Sequence, residues 1–120
     1  MKKKYRLLKN EEFKKVLDQK ASVSRENSRV FYKNNGLGYS RVGISVSSKI
    51  GNSVVRHKVK RQITEIVNLC INLDDSVDYV IIAKSSYLNL NYEENLKIIK
   101  GIFESISKKG KKIDEKQENI

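Results

Sequence analysis

Cysteine and histidine each occur once in this 120-residue chain, and proline and tryptophan are absent. The lone Cys70 excludes an intrachain disulfide and any cysteine-based zinc site. It falls on the apolar side of a helix, where free cysteine ordinarily packs as a small hydrophobe rather than serving as a nucleophile. Long apolar runs are missing as well. No window approaches the ~18 residues that a membrane-spanning helix requires. Met1-Lys2-Lys3-Lys4 is basic, but no apolar stretch of a secretory signal follows, so a cytoplasmic protein is expected. Glycine is too sparse for a nucleotide loop: Gly36-Leu37-Gly38 lacks the third glycine and the lysine that such loops use.

Acids are the most telling shortage. Fourteen Asp and Glu face twenty-five Lys and Arg, a formal charge of +11. Self-repulsion at that level weakens folding, so the excess points to a polyanionic partner. Codon bias and solubility explain why lysine is used more than arginine. They do not explain why so few acids balance it. The length fits one domain that can bury a modest core without metals or disulfides. We place that domain at residues 1–108, with a basic amino-terminal arm (Lys2, Lys3, Lys4, Arg6, Lys9), and expect 109–120 to be a charged, frayed tail.

Periodicity supplies the elements. Asn10-Glu11-Glu12 reads as a helix start, with Asn10 as cap and acids in the first turn. Phe13, Val16 and Leu17 share one face, and the helix should end near Gln19. Three strands follow: a short one at Ser22-Val23-Ser24, a β-branched and aromatic one at Arg29-Val30-Phe31-Tyr32-Lys33, and one at Arg41 through Ser48. The last alternates strictly. Val42, Ile44 and Val46 point one way; Gly43, Ser45 and Ser47 point the other. That second face carries nothing bulky, so it is either a bed for a polymer backbone or an ordinary solvated sheet face. In the next helix Val55, Val59, Ile63, Ile66 and Cys70 form one stripe, with Asn52 or Ser53 as N-cap. Val77-Asp78-Tyr79-Val80-Ile81-Ile82-Ala83 is apolar enough for a strand buried on both faces. A final helix opens with the capping box Asn91-Tyr92-Glu93-Glu94 and turns Leu96, Ile99, Phe103 and Ile106 to the core. The order α-β-β-β-α-β-α is that of an α/β (α+β) two-layer sandwich.

The segment Lys49-Ile50-Gly51-Asn52-Ser53-Val54-Val55-Arg56-His57-Lys58-Val59-Lys60-Arg61 holds five cations, the only histidine and no acid. His57, Lys60 and Arg61 lie opposite the apolar stripe, and Arg56 and Lys58 flank it. The helix can therefore dock on a sheet and still present a positive ridge. Neutralising as many phosphates would give a log–log salt slope of roughly −3.5 to −4.5. Catalysis by the chain itself is not expected. The one histidine sits in a cationic run without an oriented partner; a phosphate or base contact suits it better than the role of a base. The acidic doublets serve helix starts or lie in a loop, so no metal site is expected in the chain. Phe13, Phe31, Tyr32 and Tyr39 stand near basic residues and could stack on unpaired bases, although one of Phe31 and Tyr32 must face inward.

Gly51 through Arg61 resembles the signature of the protein subunit of bacterial ribonuclease P, which typically reads Gly-Asn-Ala-Val, one residue, Arg-Asn-Arg, one residue, Lys-Arg. The likeness extends to Arg6-Leu7-Leu8-Lys9-Asn10-Glu11-Glu12-Phe13, to Arg41 through Ser47, and to Asp78 through Ala83. It implies a mixed four-stranded sheet like that of ribosomal-protein-S5 domain 2, with a left-handed β-α-β crossover. It also implies a subunit that binds a large catalytic RNA, in a holoenzyme that removes the 5′ leader of precursor tRNA with Mg²⁺ held mainly by RNA. On that resemblance Lys49, Asn52, Arg56, His57, Lys58, Lys60 and Arg61 would contact the RNA subunit. Phe13, Leu17 and either Phe31 or Tyr32 would line a leader cleft, with Ser45 and Ser47 beneath. Three positions depart from the pattern. His57 replaces the usual Asn, Lys58 replaces an Arg and so lacks the bidentate fork, and Leu17 stands where an aromatic is frequent. The competing reading is a ribosomal or other structural RNA-binding protein with no part in cleavage. A DNA-binding helix-turn-helix is disfavoured, because a strand, not a helix and turn, precedes the basic helix.

Overall fold

The computed structural model describes the backbone of residues 1–118 and the side chains of residues 1–108. The tail expected at 109–120 lies outside the residues whose side chains are described. In chain order the elements are a 3-10 turn at Lys3–Tyr5, α1 (Asn10–Asp18), β1 (Ser22–Ser24), β2 (Ser28–Asn34), β3 (Arg41–Ser45), α2 (Ser53–Cys70), β4 (Val77–Ala83), a 3-10 turn at Ser85–Asn89 and α3 (Tyr92–Glu118).

The four strands form one mixed sheet in the order β1-β2-β4-β3. β2 is antiparallel to both β1 and β4, and β3 runs parallel to β4. Adjacent parallel strands need a crossover, and α2 supplies it. Alternation along the strands then divides the core. Val23, Val30, Val42, Tyr79, Ile81 and Ala83 meet Val59, Ile63, Ile66 and Val67 of α2 and Ile99, Ile102, Phe103 and Ile106 of α3. Val80 of β4 points the other way, toward Val16 of α1 and Leu7 of the arm, with Phe13, Leu17, Phe31 and Ile82 around it. The sheet and the α2–α3 layer are the two layers expected. α1 lies across part of the opposite face.

Local chemistry explains most boundaries. Asn52 caps α2, its side-chain oxygen accepting from the Val55 N–H at 3.0 Å. At α3, Asn91 and Glu94 cap reciprocally: the Glu94 N–H donates to Asn91 Oδ1 (2.8 Å) and the Asn91 N–H to Glu94 Oε1 (3.2 Å). Two expectations change. Asn10 is not a cap: α1 starts there, Lys9 holds the cap position in extended conformation, and no side-chain cap bond forms. β3 ends at Ser45 rather than Ser48. Ser45, opposite Ile82, is its last paired residue, and a turn closed by Ile50 N–H to Ser47 C=O (3.1 Å) redirects the chain so that Ile50 is buried.

The arm is also less free than its lysines suggest. Arg6 bridges Val42 on the outer edge of β3, the Leu7 N–H donates to the Val42 carbonyl (2.9 Å), and Leu7 is buried. Lys4 Nζ lies 4.6 Å from the centre of the Tyr39 ring. The arm thereby covers part of an edge strand that would otherwise be open.

Candidate nucleic-acid interface

α2 displays its cations as its periodicity requires. Val59, Ile63, Ile66 and Val67 are buried, whereas His57, Lys58, Lys60 and Arg61 are exposed, as is Lys49 in the preceding turn. Among the described residues the ion pairs are those of Arg41 with Glu12 and Asp78, so none of the ridge cations is neutralised by a carboxylate. Among the described residues the His57 side chain makes no hydrogen bond, so it has no oriented partner of the kind a general base needs. Arg56 is half-buried, and its Nε is buried without a hydrogen-bond partner. The Arg56 side chain lines a groove with Asn10, Phe13, Ser45 and Ser53, and His57 and Lys60 border the same groove.

The cations do not all face one way. His57, Lys60 and Arg61 border a groove between α2, the outer edge of β3 and the arm. Lys58 lies on the other flank of α2, beside Gln62, Tyr87 and Tyr92. Asn52 is exposed but uses its side-chain oxygen as the cap.

On the α1 side of the sheet the structure brings Phe13, Leu17 and Phe31 together, all half-buried. Tyr32 is not with them. It follows Phe31 in β2, points to the opposite face, and packs against the core under α2 and α3. Ser45 is exposed at the end of β3, and Ser47 is exposed in the segment beyond it. The small-residue face is only partly open. An ideal Cβ on Gly43 would run into Phe13 Cζ, so the aromatic ring occupies the space the glycine leaves. Phe13 thus belongs to both the aromatic patch and the groove below the ridge.

Three contributors escaped the sequence reading. Arg29 lies with its guanidinium 4.9 Å from the Phe31 ring centre and donates from Nε to Ser22 Oγ (3.1 Å), adding a cation to the aromatic patch. Alternation places Arg29 and Phe31 on one face of β2, so this pairing was discoverable. Gly43 was seen only as small. Arg41 forks onto Asp78 with bonds of 2.9 and 2.7 Å and reaches Glu12 of α1 at 3.0 Å. Asn35 adds a 2.8 Å bond to the same carboxylate. Hydrogen bonding to Asp78 raises the Arg41 pKa, against the opposing effect of burial. This clamp ties the start of α1 to β3 and β4, and no spacing in the sequence signals it.

Other groups are unsuited to chemistry. Burial pushes the Cys70 thiol up, with Lys100 opposing and Glu104 adding to the shift, so it is a poor thiolate. Among the described residues no three His, Cys, Asp or Glu side chains gather as a metal site. No described helix is long and apolar enough to cross a membrane. The arrangement is one for binding a polyanion: unpaired cations on a docked helix, beside partly exposed aromatic rings.

Comparison with known proteins agrees with this geometry. The family model described as Ribonuclease P matches residues 1–107. The chain is 46% identical over 99 residues to the ribonuclease P protein component of Clostridium novyi, covering 78% of this chain and 86% of the relative. It is 41% identical over 106 residues to that of Bacillus cereus, covering 86% and 91%. Among solved structures, the Staphylococcus aureus RNase P protein superposes with a TM-score of 0.71 at 32% identity, over 89% of this chain and 95% of that one. The Thermotoga maritima RNase P protein superposes with a TM-score of 0.71 at 25% identity, over 82% and 96%.

Proposed function

Because the chain belongs to the ribonuclease P protein family, we propose that it binds the catalytic RNA subunit through α2 and the 5′ leader of precursor tRNA on the α1 side of the sheet. It is the protein subunit of an endoribonuclease that matures tRNA 5′ ends, acting with its RNA in the cytoplasm. The RNA subunit meets Lys49, Arg56, His57, Lys58, Lys60 and Arg61, with Asn52 holding the start of their helix. Lys58, on its own flank, contacts a different part of the RNA from Lys60 and Arg61. Phe13, Leu17 and Phe31 receive the unpaired leader bases, Arg29 and the neighbouring lysines take its phosphates, and Ser45 and Ser47 lie at the open end of the surface. Tyr32 has no part in it.

The observation that carries this reading is a ridge of exposed cations without carboxylate partners among the described residues, on a helix that buries Val59, Ile63, Ile66 and Val67 on its other side. Catalytic groups and Mg²⁺ are assigned to the RNA. The chain's part is to hold two RNA molecules in fixed relation. Reconstitution tests it: folded protein added to the cognate catalytic RNA at low Mg²⁺ should increase release of the 5′ leader. A ribosomal or purely structural RNA-binding protein would leave the cleavage rate unchanged, and that result would reject the proposal.

A further inference from the structure

Leu8 is 57% exposed, while its neighbour Leu7 is buried in the core. Leu8 lies on the wall of the groove between the arm, β3 and α2, a space of ≈ 480 Å³. Leu8, Phe13 and Ile44 give that groove apolar surface, and Arg6, Lys60 and Arg61 stand around it. Glu65 is the one carboxylate among its lining residues. The outer edge of β3 also opens here. Val42 turns its carbonyl outward to Leu7; two residues on, alternation turns the Ile44 amide and carbonyl the same way, and among the described residues the arm provides them no partner. Thr64 adds a hydroxyl that donates to the Lys60 carbonyl and keeps its acceptor capacity.

Apolar walls, a free backbone donor and acceptor, and cations on the rim together match one chemical object. An unpaired nucleobase has two apolar faces and a polar edge, and carries a phosphate on each side. A duplex has no free base face to offer, and an acidic peptide would leave the apolar walls unfilled.

We propose that this groove takes one unpaired nucleotide of the RNA partner, its base against Leu8, Phe13 and Ile44 and its flanking phosphates on Arg6, Lys60 and Arg61. The inference rests on the RNA-binding reading above and adds to it a base contact beside the ridge. Leu8 becomes a residue for nucleotide recognition, and His57, which lines the same groove from α2, meets that nucleotide rather than a helical phosphate.

Salt dependence separates this contact from the ridge. Affinity for the catalytic RNA subunit is measured over a range of salt concentrations for the full chain and three variants. Leu8→Ala should weaken binding by about fivefold at every salt concentration, the loss expected for partial burial of one apolar side chain, with the log–log slope unchanged. Lys60→Ala should reduce the slope by about one. Leu69→Ala removes a side chain that is 72% exposed and does not line this groove, and should match the wild type. A photo-crosslinker at position 8 should attach to a single unpaired nucleotide of that RNA. Leu8→Ala binding as tightly as wild type, or crosslinks scattered along duplex, would overturn the proposal while leaving the subunit assignment standing. Failure of wild-type protein to bind the RNA would overturn both.

Discussion

Gly43→Ala tests whether Phe13 is seated by the absence of a side chain on β3. The added Cβ would run into Phe13 Cζ and stand 2.6 Å from Cε1, closer than non-bonded carbons tolerate. A rigid ring cannot yield by a few tenths of an ångström there; it must swing out. Exposing it forfeits roughly 1–2 kcal/mol of burial. Alanine in place of glycine recovers about 0.5–1 kcal/mol through lower chain entropy. The net loss is about 1 kcal/mol, or about 4 °C in Tm for a domain of this size. The effect on recognition should be larger. Base–aromatic stacking is worth about 1–3 kcal/mol per base, so losing the Phe13 platform should weaken binding of a leader-bearing precursor about tenfold or more.

The assay is KM for substrates with and without a leader in reconstituted holoenzyme, alongside thermal melting of the free protein. With protein saturating the RNA subunit, Gly43→Ala and Phe13→Ala should raise KM more for the leader-bearing substrate than for the leaderless one, and the double variant should be no worse than either alone. Gly101→Ala is the matched control. It sits within α3, nothing lies within 4 Å of the added Cβ, and the exchange should raise stability by about 1 kcal/mol. If Gly43→Ala keeps full leader discrimination, or if its effect adds to that of Phe13→Ala, the seating argument fails.

Arg41→Ala should destabilise by about 3 kcal/mol, because it leaves the nearly buried Asp78 carboxylate without its cation; denaturant titration measures this, and a loss below about 1 kcal/mol would contradict the clamp. Arg56→Ala with Arg61→Ala should lower the salt slope of RNA-subunit binding by about two while melting changes little; unfolding with unchanged slope would contradict the ridge. Burial, the larger cause in each case, pushes both the Tyr79 and Tyr87 hydroxyls up to about 12, Asp75 adding to the first, Tyr92 and then Glu65 to the second. The unfolded chain releases those protons from about pH 10, so the contribution is complete below that value and is lost as pH rises toward 12, by about 1.4 kcal/mol per unit for each tyrosine. Stability curves for Tyr79→Phe and Tyr87→Phe should each be shallower there than wild type, and identical slopes would refute the assignment.

Most signals confined to one element were legible in the chain. A cap at Asn52 or Ser53, the Asn91–Glu94 box, the stripe along α2 and the alternation of β3 as far as Ser45 are short-range patterns that the structure realises, with Asn52 as the cap; the Asn10 cap is the exception. The open points were those that a distant residue decides. A short helix with Phe13, Val16 and Leu17 on one side suits either face of a sheet, so its layer could not be read from periodicity. β2 is apolar on both faces at Phe31 and Tyr32, and only its register with β4 settles which ring meets α1. Gly43 looked like open surface because its occupant, Phe13, comes from another element. The lysines of the arm hid Leu7, whose burial depends on the β3 edge.

α1 is nine residues long and contributes one fully buried side chain, Val16. A helix that short is marginal without tertiary support. Its position on the sheet is instead fixed by two contacts on adjacent residues: Glu12 to Arg41, and Phe13 in the space above Gly43. Arg41 and Gly43 are alternate residues of β3 and so face α1 together, one as an ionic anchor and one as a slot. Phe13 borders the aromatic patch on one side and the groove under Lys60 and Arg61 on the other. Under the proposed function, the surface for the leader and the surface for the catalytic RNA therefore share a residue and a common support. Movement of α1 would disturb both at once. With catalysis assigned to the RNA under that proposal, such a subunit can act by geometry, because the parts that touch each RNA are braced against the same strand.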